Sequence, residues 1–329
     1  MSKGRILSGM RPTGNLHIGH LSVLENWVRL QEEYECYYPI VDWHALTTSF
    51  NETDAIQGNI WEMILDWLSV GLDPEKSCIF IQSQVKQHAE LHLLFSMVTP
   101  LSWLERCPTY KDQLQQLSLE GKDIATYGFL GYPLLQAADI LIYKADTVPV
   151  GEDQVPHIEL CREIARRFNF LYKKNVFPEP KAKLAKFSLL PGLDKRKMSK
   201  SYNNYIAINE EETALEDKVK MMITDPGRIR KTDVGDPSIC VVHTYHNIYS
   251  QSEVNDIAED CKKGRIGCVA CKKKLAAQMK VALAPYREKR QYYMDRPQLV
   301  KDILYHGKEK ASERAEATMM EVREVMHLS

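Results

Sequence analysis

No run of eighteen apolar residues occurs in the 329-residue chain, so no segment reads as a membrane-crossing helix. Net charge is nearly absent. Lys and Arg number 43 against 44 Asp and Glu, leaving −1. No global positive field therefore draws the chain to nucleic acid, and any such surface must be local. The start, MSKGRILSGM, turns strand-like too soon for a secretory leader. A cytoplasmic protein with reduced thiols is expected. Internal repeats and low-complexity tracts are missing, and so is a GxxxxGK(S/T) phosphate loop. The length leaves room for two domains and a substantial core.

What is present is alternation. Residues 5–10 (RILSGM) read as a short buried strand, followed by turn chemistry at Pro12 and Gly14. Helical spacing runs from His17 to Glu33 through Ile18, Leu21, Leu24, Trp27, Val28 and Leu30. A second strand is expected from Tyr37 to about Trp43, then a helix over 59–72 closed near Gly71. Strands follow at 77–83 (SCIFIQS) and 146–151 (DTVPVG), and a helix at about 154–169. This order predicts an α/β fold with a Rossmann-like, doubly wound parallel sheet. Past Tyr202 the character changes to charged helices around a polar loop at 225–238. The expected domains are therefore 1–204 and an all-helical 205–329. The last helix, over 311–327, is expected to pack back on the body.

Cys36, Cys78, Cys107 and Cys161 stand singly in apolar stretches and read as small core residues. The other four gather between 240 and 271, where even spread would put about one. Their spacing is Cys240-x20-Cys261-x6-Cys268-x2-Cys271. Four thiolates with one short CxxC suit either Zn²⁺ or a [4Fe-4S] cluster, and spacing alone leaves both open. From Cys261 to Arg290 there are ten Lys or Arg and one acidic residue, Glu288. That is a candidate surface for RNA phosphates.

Two segments carry chemistry. RPTGNLHIGH (11–20) follows a strand and opens a helix, where free N–H groups attract phosphate. His17 and His20 sit three apart and can face one ligand, and Gly19 leaves the backbone open to a base or ribose. The second segment is LDKRKMSKSYNN (193–204), in which Lys197 and Lys200 can close on a triphosphate and neutralise departing pyrophosphate. Between them, Tyr132, Gln136 and Asp139 share one helical face and can line one pocket.

His17-Ile18-Gly19-His20 and Lys197-Met198-Ser199-Lys200-Ser201 resemble the two signatures of class I aminoacyl-tRNA synthetases. SGMRPTG (8–14), VDWHALT (41–47), YPLLQAADIL (132–141), VPVGEDQ (148–154) and HIELCREIARRFN (157–169) extend the likeness to bacterial tryptophanyl-tRNA synthetases. The resemblance implies activation of L-tryptophan by ATP with Mg²⁺, then transfer to tRNA(Trp). His17, His20, Lys197 and Lys200 would be catalytic. Arg11, Pro12, Thr13, Gly19, Gly151, Glu152, Asp153, Leu189, Leu190, Met198, Ser199 and Ser201 would join them around ATP. Leu7, His44, Tyr132, Gln136, Asp139, Val150 and Gln154 would hold tryptophan.

The same resemblance makes 1–204 catalytic and 205–329 anticodon-binding, and implies a homodimer. Many bacterial relatives carry Gln at the place of Arg11 and a smaller polar residue at that of His20; donors are kept in both cases. A subset from anaerobic thermophiles carries C-x22-C-x6-C-x2-C in this region, with a first gap two residues longer. That favours [4Fe-4S] over Zn²⁺ at Cys240, Cys261, Cys268 and Cys271. A tyrosyl-tRNA synthetase is the near alternative, because a phenol can also satisfy Asp139. A non-enzymatic iron–sulfur RNA-binding regulator on a synthetase body is the further one.

Overall fold

Apolar strand segments buried on both faces need helices above and below, and the chain supplies them. The computed structural model describes residues 3–108, 110–111, 125–184, 190–200 and 202–328. Strands β1 (Arg5–Leu7), β2 (Glu35–Ile40), β3 (Ser77–Ile81), β4 (Thr147–Val150) and β5 (Lys181–Leu184) form one sheet in the order β3-β2-β1-β4-β5. Every pairing is parallel, with Ile6 between Cys36 and Thr147. The chain winds outward from β1 in one direction and then from β4 in the other. The carboxyl ends of β1 and β4 therefore flank the switch point where such sheets bind ligands.

Among the described residues the helices are α1 (Leu21–Leu30), α2 (Asp42–Ser49), α3 (Ile56–Val70), α4 (Gln87–Val98), α5 (Leu101–Glu105), α6 (Tyr127–Leu130), α7 (Tyr132–Ile142), α8 (Val155–Leu171), α9 (Glu212–Met221), α10 (Val241–Tyr249), α11 (Val254–Lys262), α12 (Cys268–Met294) and α13 (Pro297–Val325). Alternate strand residues feed two cores. Ile6, Tyr38, Ile40, Ile79 and Ile81 meet α1, α3, α9, α10 and α12 on one face. Leu7, Tyr37, Cys78, Phe80 and Val148 meet α4, α7 and α8 on the other. Trp27 stacks on Tyr38 at 4.6 Å and meets Trp67 edge-on at 5.1 Å, contacts worth about 0.5–1.5 kcal/mol each beyond burial.

Two expectations are corrected. The second strand ends at Ile40, and Asp42 opens α2 instead. The Asp42 carboxylate accepts the N–H groups of Trp43 and Ser83, so the chain turns there. The last helix starts at Pro297, well before residue 311, and wraps the β3 edge. Its Val300, Ile303 and Leu304 enter the first core, and its Ala311, Ala315, Met319 and Val322 the second. Between the two sets lies Gly307, where a Cβ would stand 1.8 Å from the Ile79 carbonyl oxygen. A mid-helix glycine that reads as a breaker thus marks a close helix–sheet approach that a side chain would block. Cys36, Cys78, Cys107 and Cys161 are all buried, as expected of core thiols.

Candidate active site

Backbone pairing brings the two signature segments together. The Ile18 N–H donates to the Ile206 carbonyl, and the Ile208 N–H to that of Leu16. The segment just beyond the lysine loop is thereby stitched to the one that opens the first helix. Across this seam Lys200 Nζ donates to the Thr13 carbonyl oxygen at 2.9 Å. The loop keeps its shape through Asn204, whose amide accepts from the Ser199 N–H and donates to Asp194 and to the Lys197 carbonyl. Met198 is buried in the first core, while Lys197 is exposed. Ser201 and Leu189 lie outside the described residues; Leu190 packs against the first core.

His17 to His20 form a tight 3-10 turn into α1, with the two imidazoles 3.8 Å apart. A Cβ on Gly19 would lie 2.9 Å from the His17 ring, so the glycine makes room first for that imidazole. Burial, then His20, then Lys200 and Lys197 push His17 down to about 3. Burial and Lys200 take His20 to about 4. Both rings are therefore neutral at pH 7. His17 Nδ1 is buried with no hydrogen-bond partner among the described residues. Burial also lowers Lys200, to about 8, against the attraction of Asp66. An ammonium so desolvated, with the Thr13 carbonyl as its hydrogen-bond partner, gains from an incoming anion.

Below the turn a cleft of about 350 Å³ opens at the switch point. All seven expected tryptophan contacts line it: Leu7, His44, Tyr132, Gln136, Asp139, Val150 and Gln154; Arg11 and Gly151 do too. Pro12 and Thr13 continue the β1 loop, and Glu152 and Asp153 stand exposed in the turn after β4.

At the bottom, Asp139 is 2% exposed. It accepts from Gln82 Nε2 at 2.8 Å on both oxygens, and its oxygens lie 2.9 Å from His44 Nε2 and 2.6 Å from His88 Nδ1. Burial works against its charge, but these histidine contacts outweigh burial and hold the carboxyl well below its usual range. On the side wall, His157 Nε2 lies 3.0 Å from the Tyr132 hydroxyl and its Nδ1 2.8 Å from Gln154 Oε1. Sequence reasoning missed Gln82, His88, Phe129 and His157 as parts of this site. His157 stood inside a quoted motif; the others had no local signal.

The thiols converge elsewhere. Cys240 precedes α10, Cys261 ends α11, and Cys268 and Cys271 share the first turn of α12. Burial raises the Cys271 thiol to about 12, with further contributions from Cys240, Cys261 and Cys268. Arg228 Nη1 reaches Cys261 Sγ at 3.6 Å. Among the described residues, no three His, Cys, Asp or Glu side chains stand close enough to hold a metal ion. The basic run nearby is less free than its count implied. Lys262, Lys263, Arg265, Lys274, Lys280, Arg287 and Arg290 each have an acidic partner.

A family model described as tRNA synthetases class I (W and Y) matches residues 2–284. The chain belongs to that family. The tryptophan–tRNA ligase of Thermotoga maritima is 54% identical over 328 residues, spanning 98% of this chain and 99% of its own. That of Aquifex aeolicus is 46% identical over 394 residues, spanning 98% and 100%. The solved tryptophanyl-tRNA synthetase from Campylobacter jejuni, complexed with ADP and tryptophan, matches at a TM-score of 0.89 and 32% identity, covering 98% of this chain and 100% of that one. Within the class, these full-length likenesses put the chain among the tryptophanyl-tRNA synthetases.

Proposed function

We propose that this protein is a tryptophan–tRNA ligase that makes tryptophanyl-adenylate in the switch-point cleft and passes the tryptophanyl group to tRNA(Trp). The observation that carries the reading is one arrangement: Lys200 bonded to the Thr13 loop above a cleft floored by Asp139. A carboxylate oxygen of tryptophan attacks the α-phosphorus of ATP in line. The bond from that phosphorus to the bridging oxygen breaks, and pyrophosphate leaves with the electron pair. No covalent enzyme intermediate is needed, so catalysis is positioning and charge stabilisation.

His17 and His20 are neutral donors to the phosphates, with Gly19 letting the chain approach; Lys197 and Lys200 neutralise the leaving group. Mg²⁺ entering with ATP would supply further charge neutralisation of the departing pyrophosphate. Arg11, Pro12, Thr13, Gly151, Glu152, Asp153, Leu190, Met198 and Ser199 surround the nucleotide, and Leu189 and Ser201 are assigned there by resemblance. Leu7 and Val150 wall the indole, while Tyr132, Gln136 and Gln154 meet the amino acid. Every oxygen of Asp139 is already engaged, so the indole N–H takes an acceptor position in exchange with the cleft-lining His44. ATP–pyrophosphate exchange tests the whole assignment. Tryptophan should support exchange and tyrosine should not; exchange with tyrosine alone, or with neither, would overturn it.

Residues 1–204 form the catalytic domain in this reading and 205–329 the anticodon-binding one. The spacing of the four cysteines and its likeness to the subset motif favour a [4Fe-4S] cluster, with Zn²⁺ the alternative, while among the described residues no three of them stand close enough to hold either. Such a group would brace the helical region, and no catalytic step depends on it. Leu93 and Met97 on α4, Leu101 on α5 and Tyr127 on α6 are exposed apolar side chains, which together with the family resemblance supports a homodimer. Sedimentation at the monomer mass at micromolar concentration would refute the dimer.

A further inference from the structure

Asp66 on α3 is fully buried and does not line the cleft, yet it holds one end of the site. Its Oδ2 accepts the N–H of Leu16, the residue before His17, at 3.0 Å. Its Oδ1 accepts from Arg290 Nη1 at 2.5 Å. Arg290, itself 4% exposed, also bonds the carboxylate of Glu62 and donates to that residue's carbonyl oxygen at 3.2 Å. Leu16 is thus fixed at both backbone groups, by Asp66 through its N–H and by Ile208 through its carbonyl. Asp66 also stands within electrostatic reach of Lys200. Arg290 lies near the carboxyl end of α12, the helix whose first turn carries Cys268 and Cys271. About 33 Å of helix separates the two ends at 1.5 Å per residue.

Stability alone is a weak reason for such a pair. A buried ion pair can often be replaced by apolar residues at no loss, whereas removing one partner strands a charge. Here the carboxylate has a second task, because it is the acceptor for a backbone N–H that sets where the His17–His20 turn begins. We propose that Asp66, gripped by Arg290, is a positioning residue that fixes this turn for ATP, so that the docking of α12 is felt at the triphosphate site. The inference rests on the ATP-activating function proposed above. Tryptophan binds deeper, against α7 and β4, and does not depend on the pair.

The test compares Arg290→Lys with the double variant Asp66→Leu/Arg290→Met, which removes the two buried charges together and leaves only the half-exposed Glu62 without its partner. ATP–pyrophosphate exchange gives KM for ATP and kcat, and calorimetry gives tryptophan affinity. The double variant should raise KM for ATP at least tenfold while tryptophan affinity stays within twofold. Arg290→Lys, which keeps the cation, should stay within about threefold of wild type for ATP. A double variant with unchanged KM for ATP overturns the proposal. So does one in which ATP and tryptophan affinity fall together, since that is general loosening of the fold. Wild-type protein without exchange would refute the function instead, and calorimetric ATP affinity of the variants would still decide the positioning role.

Discussion

In the proposed reaction, Lys200 is the residue on which the phosphate chemistry turns. Burial costs its ammonium water, and the Thr13 carbonyl returns a single contact. Lys200→Ala should slow adenylate formation at least tenfold while tryptophan still binds; near-normal pyrophosphate exchange would refute the role. The lysine loses its proton near pH 8 in the free enzyme, so KM for ATP should climb above that pH. In Lys200→Arg the cation persists and the climb should vanish between pH 7 and 9. In the same proposal, Asp139 sets the other end of the reaction. Asp139→Ala should weaken tryptophan binding by about 1–3 kcal/mol, or 5- to 150-fold by calorimetry, because a buried donor loses its acceptor. An unchanged affinity would place the amino acid elsewhere.

At the scale of elements, legibility followed burial. Strands β1 to β4 were readable because apolar runs must be buried between helices. Strand β5, sequence KAKL, is mostly exposed at the sheet edge and carries no apolar signal. The spacing of Tyr132, Gln136 and Asp139 foretold a helix face, and α7 presents all three to the cleft. Gln82 and His88 were invisible because their role comes from β3 and α4 lying beside α7, which only the fold brings about. For α12, the sequence advertised positive charge, but partners from other helices meet most of it. The same helix begins at the thiols. Under the proposed cluster assignment, Cys268→Ser should abolish the brown absorbance of anaerobically purified protein and leave adenylate formation largely intact. Loss of exchange in a variant that still melts like wild type would tie the thiols to catalysis.

Across the whole molecule, buried neutral histidines set the response to acid. Burial lowers His17, His20 and His157 to about 3, 4 and 4, and also lowers His92, His243 and His246. In the unfolded chain these groups take up protons near pH 6.5. Below that pH the unfolded state binds more protons than the native one, so stability falls as pH drops from about 6.5 toward 4. Asp66, raised by burial to about 6, works in the opposite sense but is one group against six. The melting temperature should therefore decline from pH 7 to pH 5. A flat or rising profile would show that these rings are solvated.

In the proposed reaction one nucleotide is held between the turn at residues 17–20 and Lys200, about 180 residues later, with tryptophan beneath it. A crystal structure with tryptophan and a non-hydrolysable ATP analogue tests it most directly. Triphosphate oxygens should lie within hydrogen-bond distance of Lys200 Nζ, and the indole against Asp139. A nucleotide bound anywhere other than beside that turn would contradict it.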